Sequence, residues 1–398
     1  MTAPMPMFDA DNHYYEAHDA FTRHLPKHIR PRGVEWVTLE NGHKRHMVGG
    51  RIDYQVPNPT FDPISKPGVL REYFRGNPEN KTSLELIRSN LEPLPPEYQD
   101  RDARLKVMDA QGVDAAWFFP TSGIHYEERL KRDITAQVEV HKAFNRWLEE
   151  DWGFDYENRI YAAPYITLAD PGAAETELEW ALDKGARVVI MRPAPTLTAA
   201  GKRSPGSEDF DGFWARAAEA EIVVVAHAGN AGYTLNGYPD PSGGMGALGG
   251  GKRPSVAVYI LERAICDWLT SLMFDRLFER HPGVRVASVE NGAAYLHDLF
   301  RQLKSSKERF RNYYSEDPVE SFRNNVWINP FWEDDYDEVI EYMGVDHVLF
   351  GSDWPHMEGL ARPDEIFDEI GHRSEADQRR LVYENTAELT GMRAPVSV

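Results

Sequence analysis

Short apolar runs recur along the chain from residue 100 onward, and each is followed by a segment with helical periodicity. The candidate strands are 7–15, 114–120, 161–168, 187–193, 222–229, 285–292, 325–331 and 347–353. Near-continuous apolar strands that alternate with helices are typical of a parallel sheet covered on both faces. Eight such units predict an α/β fold, a closed (β/α)8 TIM barrel with its functional residues at the carboxyl ends of the strands.

A doubly wound open sheet is the alternative to the barrel. Its dinucleotide-binding form has a Gly-rich turn after the first strand, where this chain has FDADNHYYE at 8–16. Residues 17–100 interrupt the strand and helix rhythm with a hairpin signal, Asn41-Gly42, and Pro-rich runs. We expect one domain over residues 1–398, in which 17–100 form an insertion that caps the barrel or contacts a second subunit; a plain linker is the alternative.

Composition excludes several classes of protein. The chain is 41% hydrophobic and 27% charged, as in ordinary globular proteins, and its net charge of −20 argues against a nucleic-acid partner. Cys266 is the single cysteine, which excludes an intramolecular disulfide and suits the reducing cytoplasm. No segment approaches the roughly 18 apolar residues of a membrane span. We expect a cytoplasmic protein with a small-molecule partner and no membrane partner.

Acidic and histidine residues gather at the ends of four predicted strands. They are Asp11 and His13 on the first strand, His227 on the fifth, Glu290 on the sixth, and Asp353 with His356 on the eighth. The first two are separated by one residue, so they lie on the same face of their strand. Taken alone, residues 8–16 also fit a polar edge strand or a turn. Because an unpaired buried charge costs on the order of several kcal/mol, one or two divalent cations would satisfy all six side chains together.

The motifs DADNHYYE, AHAG and FGSDWPHMEG, in this order, resemble the amidohydrolase superfamily. The similarity covers nearly the whole chain and is strongest to the branch that includes aminocarboxymuconate semialdehyde decarboxylase and resorcylate decarboxylase. It implies that Asp11, His13, His227 and Asp353 bind a metal ion, and that Asp353 moves the proton of a metal-bound water. It also implies hydrolysis or non-oxidative decarboxylation, and a homodimer or higher homo-oligomer.

The chain departs from that family pattern where it exchanges nitrogen ligands for oxygen. The first-strand motif is commonly His-x-His, and the sixth strand often presents a histidine where Glu290 stands here. The fourth strand ends in Met191 and Arg192, not in the lysine that bridges two zinc ions in many members. A mixed shell of carboxylates and imidazoles suits iron, manganese or zinc. Some relatives resemble iron or iron–manganese hydroxylases, so an O2-dependent monooxygenase with two metals is the alternative function.

Aromatic residues at the predicted strand ends favour an aromatic or polycyclic carboxylated substrate. The candidate substrate contacts are Arg192, His125, Trp354 and Trp332. Arg192 either binds the substrate carboxylate through two hydrogen bonds or forms a structural salt bridge. His125 and His356 contact the substrate or relay protons. Asp9 lies one layer deeper and is expected to orient a ligand without binding the metal.

Overall fold

The structure is a computed structural model that describes residues 5–56, 58–234, 236–239, 254–331 and 334–392. The strands, numbered along the chain, are β1 Met7–Tyr14, β2 Val34–Thr38, β3 Lys44–Val48, β4 Arg51–Ile52, β5 Ile64–Ser65, β6 Leu91–Glu92, β7 Val113–Pro120, β8 Ile160–Ala162, β9 Val188–Met191, β10 Thr196–Thr198, β11 Gly201–Arg203, β12 Val223–His227, β13 Arg285–Val289 and β14 Val326–Ile328.

The helices are α1 Arg71–Phe74, α2 Ser83–Ser89, α3 Arg101–Gln111, α4 Tyr126–Leu130, α5 Ile134–Asp151, α6 Pro171–Asp183, α7 Asp211–Glu219, α8 Ile260–Phe274, α9 Leu277–Arg280, α10 Leu296–Arg309, α11 Pro318–Asn325, α12 Tyr336–Met343, α13 Phe367–Ile370, α14 Glu375–Arg379 and α15 Asn385–Thr390. Local sequence sets several of their ends. Asp100 caps α3 by accepting from the amide of Ala103 at 2.7 Å, and Gly112 ends α3 with φ 72°. No helix within the described ranges is long and apolar enough to cross a membrane.

Parallel strands close into a ring. β1, β7 and β8 form one parallel sheet, and β14, β13, β12 and β9 form another. Single parallel bridges join the sheets through Tyr165 and Ile190, Ile328 and Val348, and Trp354 and Asn12. The ring has a buried apolar lining, which includes the whole of β9 and β12. The predicted (β/α)8 barrel is confirmed.

The eighth member of the ring is the extended segment 348–354, not a regular strand. The carbonyl of Phe350 accepts from the amide of Ala10, and the amide of Asp353 donates to the carbonyl of Asp11, each at 2.8 Å. Asp353 has φ 55°, in the left-handed region, so the backbone leaves the extended conformation at this residue. The eighth predicted strand is therefore present as a barrel member without regular pairing.

A bulge shifts the register within β1. Asp9 lies opposite Ala116 and Asn12 opposite Phe118, so three steps along β1 match two along β7. The strict alternation expected for this strand is broken here. Asn12 turns outward and accepts from Arg104 Nη1 on α3 at 2.6 Å.

Residues 17–100 contain two small antiparallel sheets, β2–β3–β4 and β5–β6. The predicted hairpin is confirmed, since β2 and β3 pair on either side of Asn41-Gly42. The segment also contacts the loop that follows the eighth barrel member. Gly68 and Leu70 donate their amides to the carbonyls of His356 and Met357, at 3.3 and 2.8 Å. We propose on this basis that the segment is an insertion that belongs to a single barrel domain.

Candidate metal centre

Four polar side chains converge at the carboxyl ends of β1, β12 and β13. Asp11 Oδ1 lies 3.2 Å from Nε2 of His13 and 3.3 Å from Nε2 of His227. Glu290 Oε2 lies 3.7 and 3.2 Å from the same two nitrogens. One ligand atom from each of the four residues lies within 4.8 Å of those of the others. The barrel thus brings together residues that are more than 270 positions apart in the sequence.

The backbone orients the ring of His227. Its Nδ1 lies 2.9 Å from the carbonyl oxygen of Ala228, and a carbonyl can only accept a hydrogen bond. Nδ1 therefore carries the ring proton, and Nε2 presents its lone pair to Asp11 and Glu290. A histidine that donates from one nitrogen and presents the other to a cluster of carboxylates has the arrangement of a metal ligand.

Asp353 lies beside this cluster and is paired with His356. Its Oδ1 is 3.2 Å from Nε2 of His13 and 2.7 Å from Nδ1 of His356. The other nitrogen of His356, Nε2, lies 2.9 Å from the Thr121 hydroxyl, which donates to the carbonyl of Tyr14 at 2.8 Å. Both nitrogens of His356 are thus engaged. His356 also forms, with His13 and Asp353, a group whose ligand atoms lie within 4.8 Å of one another. Its roles as a metal ligand and as a proton relay both stay predictions.

The acids of the site lack enough positive partners. Burial, with the other carboxylates nearby, raises the pKa of Glu290 and Asp353 well above the usual range. Burial lowers the pKa of His13 and His356, so these imidazoles do not supply compensating charge. Within the described residues, Oδ2 of Asp11 and Oδ2 of Asp353 are buried without a hydrogen-bond partner. A divalent cation would remove the repulsion and take up these oxygens, so the residues fit a metal ion.

The backbone is strained at two of the acids. Glu290 has φ 60° and Asp353 has φ 55°, in the region that side chains other than glycine rarely adopt. Such a conformation costs on the order of 1 kcal/mol or more, and it is concentrated at functional sites. Asn291 holds the end of β13 in place by donating to the carbonyls of Ala226 and Val289, each at 2.8 Å.

Asp9 ties the eighth barrel member to β1 and does not touch the imidazoles. It accepts from the Ser352 amide at 2.8 Å, from the Ser352 hydroxyl at 2.5 Å and from Asn12 Nδ2 at 3.0 Å. It also accepts from the Asp11 amide at 3.1 Å. Burial raises the pKa of Asp9 to about 7. The residue thus positions the backbone on both sides of the cluster, close to its predicted role of orienting a ligand.

Arg192 is engaged by acidic residues. Its Nη1 lies 2.6 Å from Glu128 Oε2, and its Nε lies 3.4 Å from Glu127 Oε2. The structure therefore favours the salt-bridge alternative over the predicted contact with a substrate carboxylate. The reason is that both acids come from α4, whose approach to the fourth barrel strand is not evident from the sequence around Arg192.

Two tryptophans were predicted to contact substrate. Trp354 is buried beneath the insertion, with its ring 5.3 Å from that of Tyr98 and 4.5 Å from the guanidinium of Arg104. It packs with Tyr15 and Phe61 and holds the insertion on the barrel. Its role as a substrate contact stays a prediction. Trp332 lies outside the described residues.

His125 is placed in a short turn, Gly123–His125, after β7. Burial lowers the pKa of its imidazole to about 4, so the ring is neutral near pH 7. Among the described residues, its Nδ1 has no hydrogen-bond partner. Its role as a substrate contact stays a prediction.

Glu358 lies at the site but has no role predicted from the sequence, which places Phe119 only among the aromatic residues at the predicted barrel mouth. A carboxylate oxygen of Glu358 lies within 4.8 Å of one from Glu290 and one from Asp353. The signal was an acid five residues after Asp353, inside the motif FGSDWPHMEG. The ring of Phe119 lies 4.7 Å from that of His227 and 6.1 Å from that of His13, so an apolar surface borders the imidazoles.

The sequence profile of the amidohydrolase family matches residues 9–391. A solved amidohydrolase from Mycobacterium avium subsp. paratuberculosis K-10 is 43% identical and superposes with a TM-score of 0.90, covering 98% of this chain and 100% of that chain. A comparison with curated proteins found no match.

Two solved decarboxylases share the fold at lower identity. A dihydroxybenzoic acid decarboxylase from Polaromonas sp. JS666, with bound manganese and 2-nitroresorcinol, is 16% identical at a TM-score of 0.57, over 83% of this chain and 97% of that chain. A 5-carboxyvanillate decarboxylase from Novosphingobium aromaticivorans DSM 12444, with bound manganese, is 14% identical at a TM-score of 0.58, over 98% of each chain.

Proposed function

The chain belongs to the amidohydrolase family, and on that premise we propose that it is a metal-dependent decarboxylase of a carboxylated aromatic compound. Support comes from the buried cluster of imidazoles and carboxylates at the barrel end. Relatives of the same fold are decarboxylases that contain manganese. Because their sequence identity to this chain is low, the proposal depends on the arrangement of its own residues.

The observation that carries the proposal is the 2.7 Å contact between His356 Nδ1 and Asp353 Oδ1, from which we infer a shared proton. The Thr121 hydroxyl has one proton, and it is donated to the carbonyl of Tyr14. Thr121 therefore accepts from His356 Nε2, and a single proton occupies the 2.7 Å contact between His356 Nδ1 and Asp353 Oδ1. The site thus holds a transferable proton in a buried position.

Asp11, His13, His227 and Glu290 would hold the metal ion, and manganese, iron and zinc all suit this mixed shell. When bound, a divalent ion supplies positive charge that orients a substrate carboxylate and stabilises negative charge that develops during the reaction.

The residues of this chain would act on the ring carbon that bears the carboxylate. Asp353 delivers its proton to that carbon, the bond to the carboxylate breaks, and carbon dioxide leaves. The bonding electrons remain on the ring carbon and form the new C–H bond. Solvent water would then supply the proton that is shared again by Asp353 and His356, while Thr121 keeps the imidazole in register. Phe119 provides an apolar surface beside the imidazoles that limits access of water.

Hydrolysis, also predicted from the sequence, would use the same residues. In that reaction Asp353 would begin unprotonated and would accept a proton from water, whereas in decarboxylation it donates one. None of the relatives named above is described as an oxygenase.

Isotope incorporation distinguishes decarboxylation from hydrolysis. We would incubate manganese-loaded enzyme in D2O with dihydroxybenzoic acids and 5-carboxyvanillate, and in H2(18)O with methyl esters of the same acids. Decarboxylation predicts one deuterium on the carbon that lost carbon dioxide, and loss of turnover in Asp353→Asn. The exposed acid Glu308, changed in Glu308→Gln, is the matched control and should retain turnover. Incorporation of 18O without any C–D bond would reject decarboxylation in favour of hydrolysis.

A further inference from the structure

A groove lies between the insertion and two loops at the carboxyl end of the barrel. Its volume is about 680 Å³, and its walls are the turn between β3 and β4, the end of α4 and the loop that follows β12. Gln55 of the insertion accepts from Asn230 Nδ2 at 2.9 Å, which joins the two sides. Because Asn230 comes three residues after His227, the groove begins within roughly 11 Å of the His227 backbone. The groove is thus a neighbour of the candidate metal centre, with a size typical of small-molecule sites.

The walls of the groove reverse the charge of the chain as a whole. Acids outnumber bases in the full sequence, 64 to 44. Two of the lining residues are acidic, Glu128 and Asp133, and five are basic: Arg32, Arg51, Arg129, Lys131 and Arg132. A concave surface lined by one sign of charge concentrates the electric field and attracts ligands of the opposite sign. The groove therefore favours an anion.

Three of these five cations already have an acidic partner. The pairs are Arg32 with Asp133, Arg129 with Asp53, and Lys131 with Glu128. Arg51 and Arg132 differ, because no carboxylate within the described residues forms an ion pair with either of them. Both side chains are exposed to the groove. The capacity of the groove for an anion therefore lies in these two guanidinium groups.

The position of Arg51 is set by a tight turn. The turn between β3 and β4 begins at Gly49, whose φ of 58° lies in the left-handed region. A Cβ on Gly49 would lie 3.2 Å from the carbonyl oxygen of Arg129, so the turn packs closely against the end of α4. Asp53, two residues after Arg51, pairs with Arg129 across the same contact. The insertion thus holds Arg51 beside the segment that contains Arg132.

Two arginines without acidic partners suit a phosphate group better than a single carboxylate. A guanidinium group is planar and donates two parallel hydrogen bonds to the oxygens of a phosphate or a carboxylate. A phosphate monoester carries about −1.5 to −2 charges at pH 7 and has three acceptor oxygens, so it can accept from two guanidinium groups and offset the charge of both. A carboxylate has one charge and two oxygens. The volume of the groove leaves room for an organic group attached to the phosphate.

We propose that the groove between the insertion and the barrel binds the phosphate group of a small organic phosphate through Arg51 and Arg132. The insertion supplies one of the two cations, and the segment after α4 supplies the other. The site is separate from the candidate metal centre and does not depend on the proposed decarboxylation.

The test measures binding of phenyl phosphate to the full chain by isothermal titration calorimetry at low ionic strength. We expect one binding event per chain in the wild type. The double variant Arg51→Gln/Arg132→Gln should bind at least about tenfold more weakly, because it loses the charge-assisted hydrogen bonds of both arginines. The matched control is Arg301→Gln/Arg311→Gln, which removes the same charge from exposed positions outside the groove and should match the wild type. Removal of metal with a chelator should leave binding unchanged, because none of the proposed metal ligands lines the groove.

Each other result would overturn the proposal in an identifiable way. No binding in the wild type would reject the site and leave the proposed decarboxylase intact. Equal weakening in both double variants would mean that phenyl phosphate responds to the net charge of the chain and not to the groove. Binding that is lost with the metal and retained in Arg51→Gln/Arg132→Gln would assign the phosphate to the metal centre. Benzoate bound as tightly as phenyl phosphate would reject phosphate as the class of ligand. Circular dichroism establishes that each variant is folded.

Discussion

Two buried charged clusters lie at the barrel end, and they differ in how well their charges are balanced. In the first, Arg192 lies between Glu127 and Glu128, and Lys131 also pairs with Glu128, so two cations face two acids. Glu127 also accepts from the Tyr165 hydroxyl at 2.5 Å and from Thr167 at 3.0 Å. This balanced cluster is a closed network. A closed network of this kind stabilises the fold and has no capacity for a ligand.

The second cluster contains Asp11, Glu290, Asp353 and Glu358 around imidazoles, and some of its buried oxygens have no partner among the described residues. We call it the open cluster. Its acids exceed the positive charge that surrounds them, so it gains from a bound cation. The residue types alone do not identify a site, because both clusters are buried and rich in acids. The unsatisfied atoms distinguish them.

Removal of an imidazole from the open cluster should have the largest effect. His227→Ala deletes the nitrogen that lies 3.2 Å from Glu290 and 3.3 Å from Asp11. Loss of a residue that only orients a metal ligand lowers metal affinity or activity about 10- to 100-fold. Loss of His227 itself should therefore lower kcat/KM by at least about 100-fold and release metal. The exposed residue His297 provides the control, His297→Ala. Full activity and metal content in His227→Ala would exclude His227 from the site.

A substitution in the balanced cluster should lower the stability of the fold. Glu127→Gln leaves Arg192 with less compensating charge in a buried position, and we expect the free energy of unfolding to fall by about 3 kcal/mol. Urea denaturation of the metal-free protein measures this free energy of unfolding. Manganese binding should be unchanged, because Glu127 contacts none of the open cluster's carboxylates. An unchanged urea midpoint would mean that the network adds nothing to stability.

Stability should also depend on pH through Glu16. Its Oε1 accepts from the amides of Ser122 and Gly123 at 2.7 and 2.8 Å, and burial raises its pKa from 4.5 to about 7. The folded chain then holds a proton that the unfolded chain releases, so stability decreases as the pH rises from 4.5 to 7. Relative to Glu16→Gln, the wild type should lose up to roughly 3 kcal/mol of unfolding free energy over this window. Parallel pH profiles of the two proteins would contradict the assignment.

The smallest expected effect is a gain in the free energy of unfolding, opposite in sign to the loss expected in the balanced cluster. In metal-free protein, Glu290→Gln removes one of several repelling carboxylates, so the free energy of unfolding should rise by about 1 kcal/mol. The same variant should bind less manganese and lose activity. Destabilisation of the metal-free chain by Glu290→Gln would mean that the Glu290 carboxylate has favourable partners without metal. The open cluster would then have no excess of negative charge for a cation to offset.

Much of the fold was evident from local pattern. The recurring apolar runs predicted the barrel, and polar residues at the strand ends predicted the convergence of Asp11, His13, His227 and Glu290, because barrel topology alone brings strand ends together. The boundaries were less accurate. The run 161–168 forms a regular strand only over Ile160–Ala162, since Pro164 lacks the amide that a ladder needs.

What the sequence did not reveal depends on contacts between distant segments. The partners of Arg192 come from α4, and the packing of Trp354 comes from the insertion. Neither has a signal near the residue concerned. Glu358 is different, because its place in FGSDWPHMEG was visible. Its approach to Glu290 and Asp353 depends on how the loop after the eighth barrel member folds, which a residue pattern does not specify.

The most direct test of the account is thermal unfolding with and without Mn²⁺, in the wild type, Glu127→Gln and His227→Ala. An ion that binds only the folded chain stabilises it by about 2.7 kcal/mol at 100 times its Kd. We predict that Mn²⁺ raises Tm in the wild type and equally in Glu127→Gln, but not in His227→Ala. The same Tm with and without Mn²⁺ in the wild type, or an equal increase in all three proteins, would contradict the claim that the open cluster binds the metal.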